Sequence, residues 1–137
     1  MMEREELERR ELVEAKGYLD YWKPQLRLDH MDFELVLMMP EENNNQYAQC
    51  KQNPTYHRQK IALRHPSQKS ERNREDFRGD LEVCIVHELL HTKEVPWRDH
   101  PNVIKVLDDD EWLRKRHEDS LDAVAEALVR ARRGICR

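Results

Sequence analysis

The stretch that decides the fold reads Asp80-Leu81-Glu82-Val83-Cys84-Ile85-Val86-His87-Glu88-Leu89-Leu90-His91-Thr92. Its apolar residues fall on more than one face of a helix, so the segment is expected to lie buried between a sheet and a further element. The helical reading runs from Ser70 to Thr92, with Gly79 dividing a leading turn from the main helix and Asp80 as its N-cap. Inside it, His87-Glu88-Leu89-Leu90-His91 has the H-E-x-x-H pattern. Residues four apart share a helix face, so the two imidazoles can converge on one metal ion. Glu88 projects from a neighbouring face, where it can act as general base on a water at an open metal position. Two core histidines held by local hydrogen bonds are the ordinary alternative, but their apolar neighbours make unpaired imidazoles costly.

A catalytic zinc takes three protein ligands. The segment after His91, Thr92-Lys93-Glu94-Val95-Pro96-Trp97, lacks the glycine and third histidine of the metzincin pattern, which excludes that family. Glu118 and Asp122 are four apart in the last helical segment and therefore share a face, with Leu121, Val124, Ala125 and Leu128 available for packing. Glu118 is taken as the third ligand. Asp122 is taken as the carboxylate that accepts the N–H of a ligating imidazole, on His87 or His91. His117, His100 and Asp119 stand behind Glu118, in that order, as other candidates. Cys84 reads as a small buried thiol packed against the second helix.

Outward from this segment, Leu12, Ala15, Leu19 and Trp22 repeat at helical spacing, and Glu3, Glu5, Glu6 and Glu8 suit a helix start. One helix is expected from Met2 to Lys23, stopped by Pro24. Phe33 to Met39 alternates with period two up to Pro40 and reads as a strand central to a small sheet. Tyr47 to Lys51 is a weaker strand and Lys60 to His65 a third, and three strands in succession suggest a meander. Pro96 and Pro101 predict a loop. The last helix is expected from about Asp110 to Arg133, with acids at its start, arginines at its end and Gly134 as its stop. Trp22, Trp97 and Trp112 read as core or loop anchors.

The chain has 137 residues, 38% of them hydrophobic and 38% charged, which fits one α+β domain over 1–137 with a thin core and a solvated surface. The 24 basic and 28 acidic residues leave a net charge of -4, which argues against a partner bound through phosphate neutralisation. Arg114-Lys115-Arg116 is balanced by the acids before it. No apolar run suits a membrane span or a signal peptide, and Cys50, Cys84 and Cys136 fit free thiols in a reducing compartment. The expectation is a soluble cytoplasmic protein without nucleic-acid or membrane partners; the oligomeric state stays open.

The pairing of His87-Glu88-x-x-His91 with Glu118-x-x-x-Asp122 resembles the gluzincin arrangement of thermolysin-type metallopeptidases. Asp80-Leu81-Glu82, Val86 to His91, His117-Glu118 and Val124-Ala125-Glu126-Ala127-Leu128 resemble, more closely, the small phage metallopeptidases of the minimal-gluzincin type. The resemblance covers about residues 20 to 131 and departs from the gluzincin pattern in having His117 where an asparagine usually precedes the glutamate. It implies a zincin-like order: N-terminal helix, small three-stranded sheet, H-E-x-x-H helix and glutamate-bearing helix. It also implies that the strand before the metal helix, through Ile61, Ala62 and Leu63, offers a free edge to an extended peptide. Tyr56, His57, His100 and His117 are the candidates for the donor to a transition-state oxyanion. The function expected is zinc-dependent endopeptidase, with Glu88 as base and a peptide or protein as substrate. The competing readings are a non-catalytic zinc-stabilised protein and a metal hydrolase of esters or phosphodiesters.

Overall fold

Acidic first turns and the stripe Ala15, Leu19 and Trp22 produce α1 (Met2–Gln25), whose apolar face is buried in the core. The computed structural model describes residues 2–38, 48–52, 58–68, 79–98 and 101–134, with backbone alone at 2, 48–52, 68 and 94–98. Pro24 sits inside the last turn of α1 and does not stop it. The helix ends in a Schellman motif: Leu28 N–H donates to Lys23 O at 2.8 Å and Arg27 N–H to Pro24 O at 3.0 Å. Arg27 takes the left-handed position, φ 57°, that glycine usually fills.

The sheet departs from the expected meander. β1 (Asp32–Leu37) pairs in parallel with β3 (Arg58–Leu63), and β2 (Ala48–Gln52) pairs antiparallel with the other side of β3. The order is β1-β3-β2, so β3 and not β1 is central. Side-chain burial explains the exchange: Ile61, Ala62 and Leu63 are all buried, as a strand covered on both faces requires, whereas β1 keeps Asp32 and Glu34 in solvent. Register sets Leu35 against Ile61 and Cys50 against Ile61. Two expectations are thereby corrected. Phe33–Leu37 forms an edge strand, and Ile61, Ala62 and Leu63 have no free edge, because both sides of β3 are already hydrogen-bonded.

After a 3-10 turn at Pro66–Gln68 and Asp80, α2 runs from Leu81 to Arg98. Asp80 caps it as expected, its Oδ1 accepting from Glu82 N–H at 2.9 Å and Val83 N–H at 3.3 Å. Pro96 does not open a loop. It lies near the end of α2, where a missing N–H costs a single backbone bond. Pro101 instead begins α3 (Pro101–Asp109), a helix the sequence reading omitted, and stands at the first position, where proline's missing N–H has no helical partner to lose. None of the α3 residues is buried. Asp110 caps α4 (Glu111–Arg133) by accepting from Leu113 N–H at 3.1 Å, and Gly134, φ 73°, closes it. α4 buries Leu121, Ala125 and Val129, while Val124 and Trp112 face solvent, contrary to their expected packing roles. Cys84 is buried, as expected, and is in no disulfide. No helix among the described residues is long and apolar enough to cross a membrane.

Three helices meet at Glu82, which is 0% exposed. Its carboxylate accepts from Trp22 Nε1 of α1 at 2.7 Å, from Arg132 of α4, and from Arg133 Nε at 3.1 Å, while Arg133 Nη2 also reaches Asp80 Oδ1 at 2.8 Å. Burial pushes the Glu82 carboxyl upward, but the bonds from Arg132, Trp22 and Arg133 outweigh it and hold the group below its ordinary value. A carboxylate depressed on folding stabilises the fold above the ordinary carboxylate value and loses that stabilisation as pH falls through it. Replacing Glu82 with Ala is expected to cost about 3 kcal/mol, and Glu82→Gln to flatten the loss of stability as pH falls through and below the ordinary carboxylate range. Urea denaturation of wild type and both variants across that range checks this.

Candidate metal centre

His87 and His91 occupy one face of α2, and Glu118 and Asp122 occupy the facing side of α4. Leu121, Ala125 and Val129 of α4 bury the seam between these helices, and the same spacing of four carries Glu118 and Asp122 to it. One residue beyond His91, Thr92 Oγ1 donates to Gln59 Oε1 of β3 at 2.6 Å. The histidine-bearing segment is therefore fastened at its start by Asp80 and Glu82 and at its end by Thr92.

His87 Nε2 lies 3.1 Å from His91 Nε2 and 3.0 Å from Glu118 Oε2, and His91 Nε2 lies 3.3 Å from Glu118 Oε1. Ligand atoms about 2.0 to 2.1 Å from a tetrahedral zinc are separated by roughly 3.3 Å, so the three donors stand at the spacing such an ion demands. Two imidazole nitrogens this close, both facing one carboxylate, are satisfied either by a hydrogen carried on one of them or by a metal ion between them. The donor set of two imidazoles and a carboxylate fits zinc.

Asp122 Oδ1 stands 2.8 Å from His87 Nδ1, on the side of the ring away from Glu118. This is an ion-pair distance that does not meet hydrogen-bond geometry, so a small rotation of either side chain would complete the contact. Burial pulls the His87 imidazole down, but Asp122 and Glu118 overcome it and raise the group to about 10. The Glu118 carboxyl is pushed up by burial and pulled further down by His87 and His91, and ends far below the ordinary range. A metal ion ligated by His87 would therefore compete with a proton for the ring.

Glu88 is buried, and burial raises its carboxyl; His87 and His91 lower it, and Glu118 and Asp122 raise it again. One residue along the helix from His87, it projects roughly 100° away around the axis. Glu118 is the most open member, its side chain 40% exposed, so the centre can be reached from solvent.

The structure brings His87, His91, Glu118 and Asp122 together. His117 lies beside them, its ring centroid 6.3 Å from that of His91, but it is not among the grouped donors. Tyr56, His57, Trp97 and His100 lie outside the described residues or, for Trp97, the described side chains. The sequence reading missed the Glu82 clamp that aims α2; an acid at the second helical position followed much later by Arg132-Arg133 was its only trace.

Zinc uptake at pH 7 is expected at about one ion per chain, with roughly one proton released, because His87 must give up its proton to ligate. Affinity should therefore fall about tenfold per pH unit as pH is lowered, and Glu118→Ala should abolish stoichiometric binding. Calorimetry in buffers of different ionisation enthalpy measures the proton, and plasma mass spectrometry the metal. Comparison of the chain with protein-family models, with curated proteins and with solved structures finds no match.

Proposed function

We propose that this chain is a zinc-dependent peptidase in which His87, His91 and Glu118 hold the ion and Glu88 is the general base. The observation that carries the reading is the convergence of three ligand atoms from two helices, with a buried glutamate next to the first histidine. Its helix order, with the metal ligands on α2 and α4, is compatible with a zincin-like fold of the minimal-gluzincin type.

Zinc held here would polarise a scissile carbonyl and acidify water. The chain's own groups do the rest. Asp122 orients the His87 ring through Nδ1, leaving Nε2 to face the ion. Glu88 takes a proton from the attacking water and returns it to the departing amine, and its burial favours the protonated form it must adopt between those events. The substrate strand is assigned to β2. α2 runs beside β2, whose outer side has no strand partner among the described residues, so an extended peptide can add there by main-chain pairing.

A purely structural zinc would have to fasten α2 to α4. Those helices are already tied by Glu82 to Arg132 and Arg133 and by the seam at Leu121, Ala125 and Val129. The clamp leaves little for a structural ion to add and favours the catalytic reading.

Glu88→Gln is expected to lower peptide hydrolysis by about 10²- to 10⁴-fold while zinc content stays at the wild-type value. Cleavage of a quenched-fluorescence peptide library, followed by mass spectrometry of the products, reads this out. Wild-type activity in a zinc-loaded Glu88→Gln protein would overturn the mechanism, and a zinc-loaded wild type without hydrolysis would favour the structural reading.

A further inference from the structure

A second hydrogen-bonded cluster lies where the 3-10 turn after β3 meets α1, and it shares no residue with the metal centre. Ser67 Oγ is 2.7 Å from His65 Nδ1, and His65 Nε2 is 2.7 Å from Glu8 Oε1. The backbone N–H of Ser67 also donates to His65 Nδ1, at 3.2 Å. A ring nitrogen that accepts a backbone N–H carries no proton, so the single proton of the neutral imidazole is on Nε2, where Glu8 accepts it. The same lone pair leaves the Ser67 hydroxyl only one role toward Nδ1, that of donor.

Burial separates the roles further. His65 is 1% exposed, Ser67 is exposed, and Glu8 is partly so. The base is shielded from water while the hydroxyl it faces is open to reagents. Arg4 Nε donates to the same Glu8 oxygen at 3.0 Å, and Glu8 is held below the ordinary carboxylate range first by His65 and then by Arg4. A hydroxyl on one ring nitrogen and an ionised carboxylate on the other are the three parts of an activated nucleophile: attacking group, base and positioning residue. A local cap of the 3-10 turn accounts for the backbone bond to Nδ1, and burial of the ring for an acceptor at Nε2, but neither requires the hydroxyl contact to Nδ1.

We propose that Ser67 is a nucleophile that accepts acyl groups from activated esters, with His65 as its general base and Glu8 as the positioning residue. In this step Ser67 Oγ forms a bond to the acyl carbon and its proton passes to His65 Nδ1. The bond from that carbon to the aryl oxygen breaks, and the departing oxygen takes the proton from Nδ1. The products are acyl-Ser67 and the free phenol; no redox change occurs. Glu8 stabilises the imidazolium that exists between the two proton transfers.

The test uses p-nitrophenyl acetate on the full chain carrying Glu88→Gln, with a chelator present, so that the metal centre contributes nothing. Release of p-nitrophenol is followed by absorbance and the acetyl group located by peptide mass mapping. Acetylation at Ser67 is expected, absent in Ser67→Ala and about 100-fold slower in His65→Gln. His65 is buried, so its variant is first checked for folding by circular dichroism. Glu8→Gln, at a partly exposed site, keeps an acceptor oxygen but removes the charge, and should also slow acetylation. Adducts confined to other residues, or an unchanged Ser67 rate in folded Glu8→Gln, would overturn the proposal. Zinc content and Glu88-dependent hydrolysis should be unaltered by Ser67→Ala in the otherwise wild-type chain, which keeps this result separate from the peptidase reading.

Discussion

Glu82 places an ionised carboxylate where no water reaches it, and three helices converge there because each supplies something the charge needs. α1 brings the Trp22 indole N–H, α4 brings Arg132 and Arg133, and α2 contributes Glu82 itself at its positive end. A buried charge of this kind adds little net stability over an apolar replacement of the same shape, but removing one partner is costly. Its main effect is on direction. The clamp fixes the start of α2 against the end of α4, and His87 follows roughly one and a half turns later. The opposing face of α4 carries Glu118 and Asp122 back along the same seam.

The candidate metal centre shows the same economy of charge. Three carboxylates, Glu88, Glu118 and Asp122, surround two imidazoles in a largely buried seam, and the field they produce keeps a proton on His87 against the pull of desolvation. Burial is the largest single influence on both Glu88 and Glu118, but at Glu118 the bonds and charges of His87 and His91 together outweigh it, whereas at Glu88 they do not. Two glutamates near one centre are thus pushed apart in proton affinity, which is what the proposed roles of ligand for Glu118 and base for Glu88 require.

The sheet shows where local pattern and final position part. Phe33 to Leu37 alternates clearly and looks like the stronger strand, yet it lies at the edge, while the shorter apolar run Ile61-Ala62-Leu63 holds the centre. Alternation marks a strand with one wet face, and a continuous run marks one covered on both. α3 was missed for a different reason. Pro96 and Pro101 were read as breakers, although proline is tolerated near a helix end and favoured at a helix start. The spacing of Val103, Ile104, Val106 and Leu107 was available to reveal that helix, but its residues bury nothing, so no core position argued for it.

The H-E-x-x-H helix, its Asp80 cap, the last helix with Asp110 and Gly134 at its ends, and the shared faces of His87 with His91 and Glu118 with Asp122 were all legible in the amino-acid sequence. Each depends on neighbours within about four residues, and helical geometry alone sets it. Tertiary structure decided which helix faces meet, that β3 enters between β1 and β2, that Glu82 is buried among Trp22, Arg132 and Arg133, and that Glu8 finds His65. These join residues tens of positions apart. Their pairing follows from burial of apolar faces and from the need of every buried charge for a partner, and neither constraint is local in the chain.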